Sequence, residues 1–357
     1  MIRVALAGNP NCGKTTLFNA LTGATAHVGN WPGVTVDKRE GTCKKGSEPF
    51  VVVDLPGIYS LSPYTPEEVI ARNFILDNKP DCVIDIVDST NLERNLYLTT
   101  QLMEMDVPVV VALNMADELE KNGDKIDAKL LEERLGMPVV SVSAVTGKGI
   151  SALVDRTLAA AKRKRQGISV LGNTLLAPAI EETALRLRDD GVSSPLFHAV
   201  KLAEGDSLES ENHKKTANFV RNYTHGLKDE TFGEDWEAFV ANARYDYITA
   251  NYSPALTRSS GEGKRLRLSE KIDRVLTNKW AGIPLFVAIL FVIFHLTFSE
   301  NFLFLAPALD NGGEWTNFEG TYFEGLFGSS SGISSPGVIL ANFVNGVTGA
   351  ISGGIGT

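Results

Sequence analysis

The sequence predicts a mainly parallel α/β sheet, then an all-α segment, then one apolar helix. Three observations carry this. Up to about residue 165, five short apolar runs alternate with helical patterns. From Leu175 to Tyr252 the apolar residues recur at helical spacing. Every Lys and Arg lies at or before Lys279, and Trp280–Thr357 holds none. A charged body therefore precedes an apolar tail. The segments read as 1–165, 166–258, a basic linker at 259–280, an apolar helix at 281–299 and a remainder at 300–357.

Bulk composition narrows the class. A chain of 357 residues has room for two or three ordinary domains. A net charge of −9 argues against nucleic acid as a general partner. Cys12, Cys43 and Cys82 lie far apart with no C-x-x-C pair. That predicts a reducing compartment, with neither a disulfide framework nor a zinc site. His198, His213 and His225 have no ligand spacing and read as core or surface residues. The N-terminus enters a strand directly, which predicts no signal peptide.

The strand candidates are Ile2–Ala7, Phe50–Asp54, Cys82–Asp88, Val107–Asn114 and Pro138–Ser143. Runs such as Val109-Val110-Val111 are apolar throughout, which suits strands covered on both faces. Ligands of such sheets gather beyond the carboxyl ends of the strands. The motifs fall there, or on loops leading there.

After the first run comes Gly8-Asn9-Pro10-Asn11-Cys12-Gly13-Lys14-Thr15, which fits the phosphate-binding pattern G-x-x-x-x-G-K-[ST]. A helix opens next, at Thr16. Glycines let the backbone curl until its N–H groups converge, and the helix N-terminus adds partial positive charge. Lys14 is expected on the β- and γ-phosphates and the Thr15 hydroxyl on Mg²⁺. Cys12 reads as a small filler, although a helix N-terminus lowers a thiol pKa and would favour reaction with oxidants.

Asp54-Leu55-Pro56-Gly57 ends the second run as D-x-x-G. Asp54 would hold Mg²⁺ through its water shell, and the Gly57 amide would sense the γ-phosphate. Between the two motifs lies Gly29–Val36, with Gly33, Val34 and Thr35 as nucleotide-loop candidates. Thr35 is the candidate for a hydroxyl on Mg²⁺; spacing leaves Thr22 and Thr25 as rivals. Asn114-Met115-Ala116-Asp117 has N-x-x-D spacing. The Asp117 carboxylate can accept from both the N1–H and the exocyclic amine of guanine, a donor pair that adenine lacks. Met115, where Lys is usual, would pack on the base. Ser143-Ala144-Val145 can supply a backbone N–H to the guanine O6. These elements together predict an α/β P-loop GTPase domain with GTP as substrate and Mg²⁺ as cofactor. Lys14, Thr35, Gly57 and Asn11 are the catalytic candidates.

Order and spacing resemble the small GTP-binding proteins. Gly8-Asn9-Pro10-Asn11, the Gly29–Val36 run, Asp54 through Ser62 and Asp88 through Leu98 are similar to the bacterial ferrous-iron transport protein B (FeoB) family over roughly residues 1–300. The resemblance implies K⁺ as an activator bound at Asn11, GTP-dependent uptake of ferrous iron, and placement in the bacterial inner membrane. Turnover should be slow. Ile58 follows D-x-x-G where many GTPases carry a water-orienting Gln, and Arg39, Arg72 and Arg94 are finger candidates only by proximity in sequence. An arginine finger is worth about 10³–10⁵ in rate. Glu67 and Glu68 open a helix, and in this family acidic residues there are suspected contacts for the next domain.

Lys162-Arg163-Lys164-Arg165 reads as the basic last turn of the first domain's final helix. Beyond it, Asp206-Ser207-Leu208-Glu209 and Gly233-Glu234-Asp235-Trp236 read as helix starts. Phe219, Val220 and Tyr223, and Trp236, Phe239, Val240 and Ala243, form helical stripes. The resemblance makes this region a regulatory domain that modulates GDP release. Ala281–Phe298 then runs without a charge, and twelve of its residues are Ile, Leu, Val or Phe. They favour bilayer insertion by roughly 4–7 kcal/mol, which predicts a transmembrane helix. Basic residues before it put the N-terminal domains in the cytoplasm. His295 is a functional pointer by its setting, Phe302–Leu309 an extension, and Val338–Gly356 a second span or the start of one. The family continues for several more membrane helices. The chain is therefore expected to be a fragment or split form, or to need a homo-oligomer or a membrane partner subunit. The rival readings are a non-transporting GTP-dependent switch and a ribosome-assembly type of GTPase.

Overall fold

The computed structural model describes residues 1–23, 26–31, 34, 36–121, 123–257 and 282–298. The chain divides into Met1–Ser260 and Gly261–Thr357.

The first unit opens with β1 (Arg3–Gly8), α1 (Lys14–Thr22), β2 (Ala26–Asn30), β3 (Asp37–Cys43) and β4 (Phe50–Asp54). It continues through α2 (Pro66–Asn78), β5 (Cys82–Asp88), α3 (Leu92–Leu102), β6 (Val109–Asn114), α4 (Ala116–Lys121) and β7 (Lys125–Ile126). Then come α5 (Ala128–Leu135), β8 (Val139–Ser141) and α6 (Ile150–Ala161). The main sheet runs β2-β3-β4-β1-β5-β6-β8. Its β4-β1-β5-β6-β8 part is parallel, while β2 and β3 are antiparallel additions at one edge. The parallel core explains the unbroken apolar runs, because both faces are covered. On one face Val4, Leu6, Ile84 and Val110 pack with Leu17 and Phe18 of α1 and Leu153 and Val154 of α6. On the other, Ala5, Val83 and Val111 pack with Phe74 of α2, Leu96 of α3 and Leu131 of α5.

All five expected strands are present, with ends moved by up to two residues. β2 and β3 were not expected. Most β3 positions are only partly buried, so it shows no apolar alternation to read. The basic run Lys162–Arg165 follows α6 rather than forming its last turn, since the helix ends at Ala161.

Five more helices follow: α7 (Ala177–Asp189), α8 (Pro195–Glu204), α9 (Ser207–Asn212), α10 (Lys214–Thr224) and α11 (Trp236–Asn251). Both expected helix starts are there. Asp206 caps α9 by accepting from the Glu209 N–H at 3.1 Å, and Asp235 caps α11 through the Ala238 N–H at 3.0 Å. Val220 and Val240 are buried, whereas Tyr223 is exposed. These helices share one hydrophobic core with the α2–α3 face of the sheet. After α11 the chain returns as β9 (Leu256–Thr257), antiparallel to β7.

The second unit contributes α12 (Gly282–Phe298), with Ile283, Phe286, Val287 and Ile289 exposed. The expected transmembrane helix at 281–299 needs correction. The described helix has 17 residues. At 1.5 Å per residue these described residues cover about 26 Å. No helix among the described residues is long and apolar enough to cross a membrane. The linker at 259–280, the side chain of His295, Phe302–Leu309 and Val338–Gly356 lie outside the described residues.

Candidate functional site

The loop between β1 and α1 is shaped by two unusual backbone positions. Asn11 and Gly13 both sit in the left-handed region, at φ 65° and 87°. At Gly13 the crowding is severe: a Cβ there would meet the Asn114 amide nitrogen at 2.3 Å, so no larger residue fits without displacing Asn114. Asn114 in turn ties three segments together. Its Nδ2 donates to the Cys12 carbonyl at 2.8 Å, and its Oδ1 accepts from the Ala144 N–H at 3.0 Å. It therefore joins the phosphate loop to the loop after β8.

Lys14 at the head of α1 reaches Asp54 at the end of β4, Nζ to Oδ1 at 2.5 Å, and both are largely buried. Burial pushes the Asp54 carboxyl up, and the Lys14 ammonium opposes that. Arg39 is paired across the ladder with Asp54 and acts on it in the same sense. The carboxylate and the Thr15 hydroxyl are hard oxygen donors, a set that suits Mg²⁺. Asn9 has a buried Oδ1 with no partner among the described residues, while its Nδ2 donates to the Arg94 carbonyl at 3.5 Å. Gly57 passes so close to the loop that a Cβ would meet Pro10 backbone atoms at 3.3 Å. Ile58 is buried and donates its N–H to the Gly8 carbonyl, so its side chain offers nothing to a water.

Burial pushes the Cys12 thiol up to about 12, with Asp85 adding to the shift, which agrees with Cys12 as a small filler rather than a reactive thiol. At pH 8 only about 10⁻⁴ of such a thiol is thiolate. Iodoacetamide should label Cys12 only after denaturation; labelling of the native chain within minutes at pH 8 would contradict this.

Asp117 lies in the first turn of α4, and a hydrogen bond from Ser143 holds its carboxyl below the usual range. Met115 precedes it in the left-handed region, at φ 61°. Of the three N–H groups in Ser143-Ala144-Val145, the first donates to Lys148 and the second to Asn114. That leaves Val145, which is exposed, as the one without a partner among the described residues. Thr22 drops out as a magnesium ligand, since its buried hydroxyl bonds the Phe18 carbonyl at 2.9 Å. Gly33, Thr35 and Thr25 lie outside the described residues. Val34 is described, and its N–H meets the Trp31 carbonyl at 3.3 Å. Trp31 packs edge-on against Phe74 of α2, with ring centroids 5.5 Å apart.

The loop after β4 and helix α2 are also bound to the later helices. Lys201 of α8 donates to Ser62 Oγ at 3.0 Å. Arg72 of α2 is buried against Asp206 at 2.7 Å and against Glu209. Tyr64 bonds Glu237 of α11. Arg72 is therefore spent on ion pairs, which removes it as a finger in this conformation, while Arg94 lies over the Tyr59 ring at 4.5 Å. Sequence reading missed these contacts, since their partners stand more than 130 residues apart.

A family model described as ferrous iron transport protein B matches residues 2–157. The chain is 35% identical to the cytosolic domain of T. maritima FeoB in its GMPPNP form, covering 72% of this chain and 100% of that one, with a TM-score of 0.64. It is 40% identical to a GDP-bound mutant of the S. thermophilus FeoB G-domain, with the same coverage of each chain and a TM-score of 0.65. The chain belongs to the ferrous iron transport protein B family. Among curated FeoB relatives it is 39% identical to the Fe(2+) transport protein A/Fe(2+) transporter FeoB fusion protein of Porphyromonas gingivalis, over 84% of this chain and 37% of the relative. It is 34% identical to the Fe(2+) transporter FeoB of Legionella pneumophila, over 97% of this chain and 45% of the relative. The chain thus spans under half the length of these FeoB relatives. Its α/β domain is a FeoB GTPase domain.

Proposed function

We propose that this chain binds and hydrolyses GTP and that the nucleotide cycle drives or gates ferrous iron uptake at the bacterial inner membrane. The observation that supports it most is the meeting of Lys14 and Asp54 at 2.5 Å beneath the phosphate loop. With a triphosphate bound, Lys14 would turn to the β- and γ-oxygens, and Asp54 and Thr15 would serve Mg²⁺, which supplies charge neutralisation. A water attacks the γ-phosphorus in line, the bond to the bridging oxygen breaks, and GDP leaves carrying that oxygen. Asp117 selects guanine, with Met115 against the base and the Val145 N–H on O6. Thr35 and Gly57 close over the γ-phosphate and open after hydrolysis.

Ile58 cannot orient the water, and Arg72 is engaged elsewhere. We assign the missing charge to K⁺ at Asn11. Its side chain is exposed, and no neighbour among the described residues holds its amide, so the oxygen is open to an ion. Phosphate release by the full chain in Mg²⁺ should be about tenfold or more faster in KCl than in NaCl, a fraction of what an arginine finger supplies. Asn11→Ala should erase the difference. Equal rates in the two salts would reject the ion's role, and no multiple turnover in either would reject catalysis.

The contacts of Ser62, Tyr64 and Arg72 with α8, α9 and α11 support the helical region, residues 166–258, as the regulatory domain that reads the nucleotide state. The exposed apolar side chains of α12 support attachment to the bilayer, with the first unit on the cytoplasmic side. Iron passage would draw on further subunits or a homo-oligomer.

A further inference from the structure

We propose that His198, Glu209 and His213 form a binding site for a divalent first-row transition-metal ion in the helical region, apart from the nucleotide site. His198 lies on α8 and Glu209 on α9, while His213 stands at the junction of α9 and α10. Spacings of eleven and four residues hide the cluster in the sequence, and only the folding back of α8 on α9 assembles it. His198 Nδ1 is 2.8 Å from Glu209 Oε2, and His213 Nε2 is 3.5 Å from the same oxygen. The three ligand atoms all lie within 4.8 Å of one another. Ligands of a tetrahedral ion with bonds of about 2.0–2.2 Å stand roughly 3.4 Å apart, so small side-chain movements suffice.

An ordinary ion pair accounts for only part of this arrangement. His198 alone satisfies Glu209 Oε2. His213 faces the same oxygen from beyond good hydrogen-bond distance, partly buried, with its ring centroid 5.2 Å from that of His198. Two imidazoles converging on one carboxylate oxygen make a ligand set of the kind that metals take. The other carboxylate oxygen, Oε1, is held by Arg72, which also bonds Asp206 at 2.7 Å. Metal-ligating carboxylates are oriented by such outer hydrogen bonds. Two nitrogens and one carboxylate oxygen suit Fe²⁺, Co²⁺, Ni²⁺ or Zn²⁺ and disfavour Mg²⁺ and Ca²⁺. The partly exposed flank of His213 would admit water to complete the shell. Because Arg72 belongs to α2, a bound ion would fix the same carboxylate that anchors α2 to the later helices.

The test is a Co²⁺ titration of the full chain in detergent, loaded with Mg²⁺ and GDP so that the phosphate site is filled. One Co²⁺ per chain should bind, with visible d–d bands of a nitrogen-ligated, low-coordinate ion. His213→Gln and His198→Gln should each weaken that signal about tenfold or more, on the scale of ligand-sphere losses. Both variants should keep their circular dichroism and their affinity for a fluorescent GDP analogue. His213→Gln is the decisive variant because His213 is the more exposed of the two histidines, and its circular dichroism reports whether the fold is kept. Absence of the bands at saturating Co²⁺, or bands of wild-type strength in His213→Gln, would overturn the site.

Discussion

Asp117→Asn is expected to weaken GDP binding by about 10²-fold or more and to make xanthosine diphosphate the tighter ligand. A site built to accept from a substrate N–H loses about that much or more when the match is broken. On the proposed reading the carboxylate would accept from two guanine donors at once, whereas an amide in its place offers one acceptor and one donor. Xanthine carries a carbonyl where guanine carries the exocyclic amine, so the amide's donor finds a partner there. The rest of the site stays put, because Asn114 and not Asp117 holds the phosphate loop to the loop after β8. Competition binding with the two diphosphates checks this. An unchanged preference for GDP would remove Asp117 from base recognition.

Arg244→Ala should be the most damaging change to stability, by about 3–5 kcal/mol, the cost of stripping one partner from a buried charge cluster. Arg244 of α11 is fully buried. Its Nη2 donates to Glu104 at 2.9 Å and Glu204 at 3.2 Å, and its Nη1 to Thr100 at 3.2 Å. Burial pushes the Glu104 carboxyl up even with the guanidinium opposing it. Glu204 is buried as well, but Lys201 and Arg244 hold it below the usual range. Without Arg244, Glu104 loses the guanidinium that opposes its burial, and its folded-state value stands further above the unfolded one. A group raised in the folded state favours folding below its unfolded pKa and loses that as the pH climbs. The variant's deficit should therefore shrink from pH 7 toward pH 5. Denaturant unfolding at the two pH values measures it. A deficit under about 1 kcal/mol would mean that solvent or a neighbour replaces the guanidinium. Adding Glu104→Gln to the variant should recover part of the loss, because one stranded charge is then gone.

The nucleotide motifs and the parallel strands were legible because local sequence dictates both. A glycine loop followed by Lys14 and Thr15 needs no distant partner to be read, and neither do runs such as Val51-Val52-Val53. Asp206 and Asp235 could be read as caps for the same reason, since each bonds an N–H three residues on. What stayed hidden depends on distance or on polar edges. The β2–β3 pair is held by backbone bonds with little apolar pattern. Nothing local marks Lys201 and Arg244 as buried; only the fold encloses them. His198 and His213 looked unrelated because their meeting is made by tertiary packing. Cys12 could be read as a small filler, and its enclosure outweighs the pull of the helix terminus toward a thiolate.

The short ladder between β7 and β9 has a mechanical side. The first unit ends at Ser260, and among the described residues Ile126↔Leu256 and Lys125↔Thr257 are its last rungs. β7 follows closely on α4, the helix that bears Asp117. A tug on the outgoing strand would load these two rungs first, and with them the segment beside the purine clasp, before straining the deep core.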